Sequence, residues 1–308
     1  MNNQKIEITG NHPDWINLSH PGSDELASLK QLYNINPEYL RRSLKRTETS
    51  YTQNLNDNQH NPLIVVQYPK INQTNLPSSY QIDTYPLVIT INKNLLITSS
   101  YNDLDSIKYL IKDSDDYKFR LSNTRDLILA IILEIAQDFR HIINKLTNDT
   151  NQLEEKLSSA TDNNVIYEIM SLLKSVNALL IALRSNQPVI DTILKDKVYF
   201  NSPNYDHLAE LIQDEFQQSL ENARYLKDNL EDYSDLVSTI ISNNSNTAMT
   251  VLTRFNIILS VTSAIFALGG VNYRLPLMNS NFGFYMLLLV TSIIASFVMI
   301  YLHHKDIM

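Results

Sequence analysis

The 308-residue chain contains no cysteine and only five glycines. The first absence excludes disulfides, thiolate metal sites and cysteine nucleophiles. The second leaves Gly10, Gly22, Gly269, Gly270 and Gly283, too few and too scattered for a phosphate-cradling loop or a dinucleotide fingerprint. Nucleotide-driven work through either motif is therefore excluded, and no nucleotide partner is expected. The seven histidines form no HExxH or similar ligand set. With a formal net charge of -8 and no run of Lys and Arg interleaved with aromatics, the chain lacks the electrostatic footprint of a nucleic-acid binder. No catalytic constellation stands out, so an enzyme is not expected, nor a resident cofactor.

What the chain has is an uneven distribution of charge. Charged and amide residues dominate from Met1 to about Asn246, whereas from Phe255 to Leu302 charge almost vanishes. This reads as a large soluble body followed by a membrane anchor. Phe255–Val271 is 17 uncharged residues and Phe282–Leu302 is 21 residues whose only ionisable groups are tyrosines. Asn272–Asn281 joins them, so the two spans make a hairpin. The N-terminus has no basic segment feeding an apolar run and no small-residue cleavage site. The body therefore stays on the synthesis side and both termini are expected in the cytoplasm, at the plasma membrane. His303, His304 and Lys305 beside the second span agree with that orientation, as does Arg254 beside the first; Arg274 opposes it.

Within the body, Lys5–Thr9, Trp15–Leu18, Leu63–Tyr68, Leu87–Ile91 and Leu95–Thr98 are short β-rich runs bounded by Pro, Asn, Gly or Ser. Ser23–Leu44 carries Leu26, Leu29, Leu32 and Tyr33 at helical spacing. This alternation predicts an α/β domain over residues 1–116. Paired long helices follow over 117–204. Leu127–Leu157 is expected to bury Leu129, Ile132, Ile135, Phe139, Ile142 and Leu146, and Asn164–Leu183 to stop before Asn186 and Pro188. Val189–Phe200 reads as a separate short piece. From Tyr205 no Pro or Gly intervenes before Gly269. One helix of 64 residues, at about 1.5 Å each, would reach roughly 96 Å, far longer than a bilayer core. The remaining divisions are a stalk and first span over 205–271, a loop over 272–281, a second span over 282–302 and a tail over 303–308.

The first span and its approach carry Asn246, Met249, Thr253, Asn256, Ser260, Ser263, Ala267 and Gly270 at three- or four-residue intervals. In a membrane helix such a stripe faces a partner helix or a water-filled path. Both readings stay open on spacing alone.

The span ends on Gly269-Gly270-Val271-Asn272-Tyr273. Here the chain resembles the CorA family of magnesium transporters. Its members carry Gly-Met-Asn, usually within Tyr-Gly-Met-Asn-Phe, at the outer end of the first of two C-terminal spans. The resemblance extends to the α/β start with Trp15-Ile16-Asn17-Leu18 and Pro21, and to the helices around Leu153–Leu157 and Leu172–Leu183. It implies a homopentameric funnel in the bilayer that takes up Mg2+ or another divalent cation, with Mg2+ also a candidate regulator. Gly270, Val271 and Asn272 would form the selectivity filter, with Asn272 meeting the metal through its coordinated waters. Counted back without gaps, Asn246, Met249 and Leu252 match the family's pore-lining positions near the cytoplasmic mouth. Asn256, Ser260 and Ser263 complete the proposed path.

Three departures stand out. Val271 replaces the family's Met, Ser260 replaces an apolar constriction residue, and the outer loop carries Arg274 where many members place acids. The family's sensor acid falls near Leu211, with Glu210 and Asp214 the closest carboxylates. Val271 leaves a zinc-handling relative as an alternative, although the stripe offers neither imidazole nor thiolate, which zinc favours. A two-span membrane-anchored scaffold without transport is the alternative from another class.

Overall fold

A computed structural model describes residues 14–57, 60–73, 80–112, 123–157, 163–200, 202–269 and 282–304. The expected strand at Lys5–Thr9 and the α/β boundary near residue 116 lie outside them. The chain divides into two compact units, Met1–Ser234 and Asp235–Met308.

The first unit is built on a five-stranded mixed sheet of order β1-β5-β4-β3-β2, with β1 Trp15–Ser19, β2 Tyr51–Gln53, β3 Leu63–Gln73, β4 Tyr80–Asn92 and β5 Leu95–Ser100. β1 runs parallel to β5, and the other neighbours are antiparallel. Side chains alternate across a strand, so each face of this sheet takes every second residue. Leu63 and Val65 of β3, Val88 of β4 and Ile97 of β5 share one core with Leu26, Leu29, Ile35 and Leu40. Their neighbours Ile64, Val66, Leu87 and Ile89 are equally buried on the other face. Both faces are covered, which explains the continuous apolar runs.

Prolines in the sheet fall where a missing N–H costs nothing. In the register Val65 pairs with Tyr51 and Gln67 lies opposite Pro86, so β3 turns the polar groups of its odd-numbered residues away from β4. Pro69 thus faces the edge beyond the end of β2. Pro86 faces the other way, past Leu87–Ser100, the last pair with β5.

The helical reading of Ser23–Leu44 is corrected. The segment is α1 Ser23–Tyr33, α2 Pro37–Arg41 and a 3₁₀ turn Arg42–Leu44. Gly22 N–H donates to the Glu25 carboxylate at 3.0 Å to start α1, and Asn34 ends it in the left-handed region (φ 50°). Pro37 then opens α2 behind Asn36, whose side chain accepts from Glu38 N–H. Leu32, although on the helical period, is 73% exposed.

α3 Asp105–Lys112 leads towards α4 Thr124–Leu157 and α5 Asn163–Lys195. All six residues expected on the inner face of α4, from Leu129 to Leu146, are buried. α5 does not stop before Pro188 as the sequence suggested. It continues to Lys195 because the turn at the proline is fastened from outside: Ser50 N–H donates to Ser185 Oγ at 2.9 Å, and Asn186 is bonded to β3. α5 is also apolar and long enough to cross a membrane, but it lies on β3 and β4 with its inner face buried, so it is a core helix of the body.

α6 Tyr205–Gly269 is one uninterrupted helix of 65 residues, one residue longer than expected. Its part in the first unit buries Leu208, Phe216, Leu220, Ala223, Leu226 and Leu230. The second unit holds the rest of α6 and α7 Gly283–His304.

Candidate functional site

The proposed path lies on the C-terminal part of α6. At about 100° of helical turn per residue, Asn246, Met249, Leu252, Asn256, Ser260 and Ser263 fall within about 120° of arc. The structure therefore puts all six on one face of one helix, and every one of them is exposed in the single chain. Met249 is 65% and Leu252 64% exposed, so the described residues leave most of this apolar pair uncovered.

The polar members of the stripe differ from hydroxyls on the adjoining face. Thr247 and Thr250 turn inwards and donate to the carbonyls of Asn243 and Asn246, at 2.9 and 2.8 Å. Asn246, Asn256, Ser260 and Ser263 make no side-chain hydrogen bond among the described residues. Asn256, Ser260 and Ser263 fall within the expected span, where an unsatisfied amide or hydroxyl is costly in hydrocarbon, which disfavours a lipid-facing position for these three groups. They require water, an ion or a polar partner.

Other faces of the unit are apolar and equally uncovered. Phe255, Leu259, Phe282, Tyr285, Leu289, Ile293, Phe297 and Ile300 are each at least 59% exposed. A patch of that size is not stable against water and needs a bilayer or further copies of the chain.

Gly270, Val271 and Asn272, together with the loop to Asn281, lie outside the described residues. Glu210 and Asp214 are exposed on α6. Among the described residues no group of three or more His, Asp or Glu side chains could hold a metal ion.

Sequence reasoning missed the contacts that fix α6 to the body. Arg140 of α4 donates to Glu215 at 2.7 Å, the Ser202 hydroxyl donates to Asp126, and Lys197 reaches Asp206 at 2.7 Å. The first two join residues 75 and 76 positions apart and leave no local signal. Asp138 on α4 was missed too. Burial lifts its carboxyl to about 6; Ser106 opposes the shift and nearby Glu134 adds to it.

With the uncovered stripe and paired apolar helices in place, the comparisons decide the family. The family described as CorA-like Mg2+ transporter protein matches residues 10–304. The chain belongs to that family. A cobalt/magnesium transport protein, CorA, from Methanocaldococcus jannaschii is 26% identical over 294 residues, covering 93% of this chain and 89% of the relative. The complete structure of the CorA magnesium transporter from the same organism superposes with a TM-score of 0.80 at 22% identity, over 94% of this chain and 89% of that one. The full-length CmaX protein shares the fold with a TM-score of 0.70 at 14% identity, over 95% and 88% of the two chains. This CorA-family chain is thus a divalent-cation transporter in class, with the α/β body, long helices and C-terminal membrane helices of that fold.

Proposed function

We propose that the chain forms a homopentameric pore that admits hydrated divalent cations, Mg2+ foremost, passively and under the membrane potential. The observation that carries this reading is the stripe on α6. Its amides and hydroxyls are neutral and without side-chain partners among the described residues, and they lie on one face of the C-terminal part of α6, whose other faces there are largely apolar. Around a symmetry axis such a face lines a wet path while the apolar faces meet lipid.

Neutral oxygens suit this cargo. Mg2+ holds its waters tightly, with metal–oxygen distances of about 2.0–2.1 Å, and keeps several of them when bound. Five Asn272 side chains at the outer mouth would accept hydrogen bonds from those polarised waters, and Gly270 lets the backbones approach. Ser263, Ser260 and Asn256 then hand the hydrated ion inward, and Met249 with Leu252 form the narrow apolar gate. Both termini lie in the cytoplasm. A potential of 100 mV is worth about 2.3 kcal/mol per charge, hence about 4.6 kcal/mol for a dication, which drives uptake without fuel.

Flux into vesicles tests this reading. With an inside-negative potential set by potassium and valinomycin, Mg2+ influx should appear and should be blocked by hexaamminecobalt(III), a mimic of the hydrated ion. Zinc influx insensitive to that complex would favour the zinc-handling alternative, and the absence of any flux would favour the scaffold.

A further inference from the structure

Away from the pore stripe, the first unit carries a cleft of about 440 Å³ at the β4–β5 turn, where Lys93, Arg125, His60, Asn61, Asn92 and Asn94 converge. Two elements bring them together. Thr124 Oγ1, on the first turn of α4, donates to the Asn94 carbonyl at 3.1 Å, so that turn and the two-residue turn Lys93–Asn94 share a wall. Arg125 lays its guanidinium over the Tyr199 ring, 5.0 Å from the centroid, which fixes the charge without neutralising it. Among the described residues neither Lys93 nor Arg125 takes part in an ion pair.

Lys93 adopts φ 55°, a left-handed conformation in which Gly or Asn is the usual choice. Holding a lysine there costs backbone energy, and the turn sets it at the rim of the cleft. The cleft is also cationic on a chain of net charge -8. The acid in its wall, Asp57, lies 2.7 Å from His60 Nδ1. A second cleft, about 920 Å³, shares His60, Asn61, Asn92, Lys93 and Asn94 and adds Tyr33, Tyr39, Asn34 and Asn36. Both volumes fall within the range usual for small-ligand sites, about 300–1,000 Å³.

We propose that the smaller cleft binds the phosphate group of a small molecule between Lys93 and Arg125, with His60 and the asparagine amides donating the remaining hydrogen bonds. Guanidinium and ammonium groups supply the charge-assisted bonds that a phosphate dianion prefers. The larger cleft, lined by amides and half-buried tyrosines, takes any organic part attached to that phosphate. No hydrolysis is implied, and the site stands independently of the pore.

Isothermal titration of the full chain in detergent, with divalent metals chelated, tests this with three probes: inorganic phosphate, AMP and ATP. Saturable binding of at least one is expected, weakened about tenfold, or ~1.4 kcal/mol, in Lys93→Asn and in Arg125→Gln. Asparagine adopts the left-handed backbone readily, so Lys93→Asn reports on charge rather than folding. Equal binding of phosphate and the nucleotides identifies free phosphate as the ligand. Tighter binding of a nucleotide, lost in Tyr39→Ala, brings the larger cleft into the site. Lys45→Gln, outside both clefts, should bind as the wild type does. The proposal is overturned if no probe binds saturably, if Lys93→Asn binds as the wild type does, or if Lys45→Gln weakens binding as much as Lys93→Asn.

Discussion

Asn186 on α5 takes the place of a missing strand beside Gln67 on β3. Its Oδ1 accepts from Gln67 N–H at 2.7 Å and its Nδ2 donates to Gln67 C=O at 2.8 Å. β2 reaches back only to Tyr51, opposite Val65, so without Asn186 both backbone groups of Gln67 would be buried unpaired. The same Oδ1 accepts from Ser50 Oγ at 2.6 Å, which ties the chain entering β2 to the same helix turn.

Asn186→Ala should therefore destabilise the body strongly. An unsatisfied buried backbone group costs about 1–3 kcal/mol, and two are exposed to that loss, so about 2–6 kcal/mol is expected. Thermal unfolding of the full chain in detergent measures it; a change under about 0.5 kcal/mol would show that water or a shifted backbone fills the role.

Asp138 gives a pH dependence of definite sign. Burial raises its folded pKa to about 6 from the model-peptide value of 3.8, so the folded state holds the proton after the unfolded chain has released it. Stability contributed by this group is present below about pH 4 and declines as pH rises towards about 6. The slope should flatten in Asp138→Asn. Unfolding measured from pH 4 to pH 7 checks this, and an identical slope in both proteins would remove Asp138 as its source.

The gate assigned to Met249 and Leu252 makes a paired prediction. Met249→Ser with Leu252→Ser should widen and wet the constriction and raise ion leak severalfold at high internal Mg2+. Ser260→Leu, which restores an apolar residue, should lower flux instead. Vesicle flux reads both changes, and movement of either in the opposite direction would place the gate elsewhere on α6.

Much of the fold was legible because it rests on period and on the absence of breakers. The inner face of α4 and the 65-residue run of α6 follow from apolar spacing uninterrupted by Pro or Gly. The strand cores at Trp15, Leu63, Leu87 and Leu95 follow from β-branched and apolar runs. Tertiary partners defeated the local rules elsewhere. Pro188 ends a helix in isolation, yet Ser185 and Asn186 hold α5 to the sheet across it. β3 and β4 extend to Gln73 and Tyr80 through polar residues because each supplies the other's hydrogen bonds, and no apolar pattern marks that extension. The break at Asn34–Pro37 was readable from its turn residues, but the helical spacing of Leu26, Leu29, Leu32 and Tyr33 before it was extended past them to Leu44.

The site divides in the same way. The stripe from Asn246 to Ser263 was visible as a period in the sequence, and the structure adds that among the described residues Asn246, Asn256, Ser260 and Ser263 find no side-chain hydrogen-bond partner. Gly270-Val271-Asn272 was reached through resemblance alone. The bonds from Arg140 to Glu215 on α6 and from Ser202, just before α6, to Asp126 on α4 join residues distant in sequence and carried no signal.

Mg2+ influx in vesicles, compared between the wild type and Asn272→Ala after both are shown to elute as the same oligomer, tests the central claim most directly. An amide ring that greets the hydrated ion predicts influx in the wild type and a fall to the protein-free level in the variant. Undiminished, still Mg2+-selective influx through Asn272→Ala would contradict it.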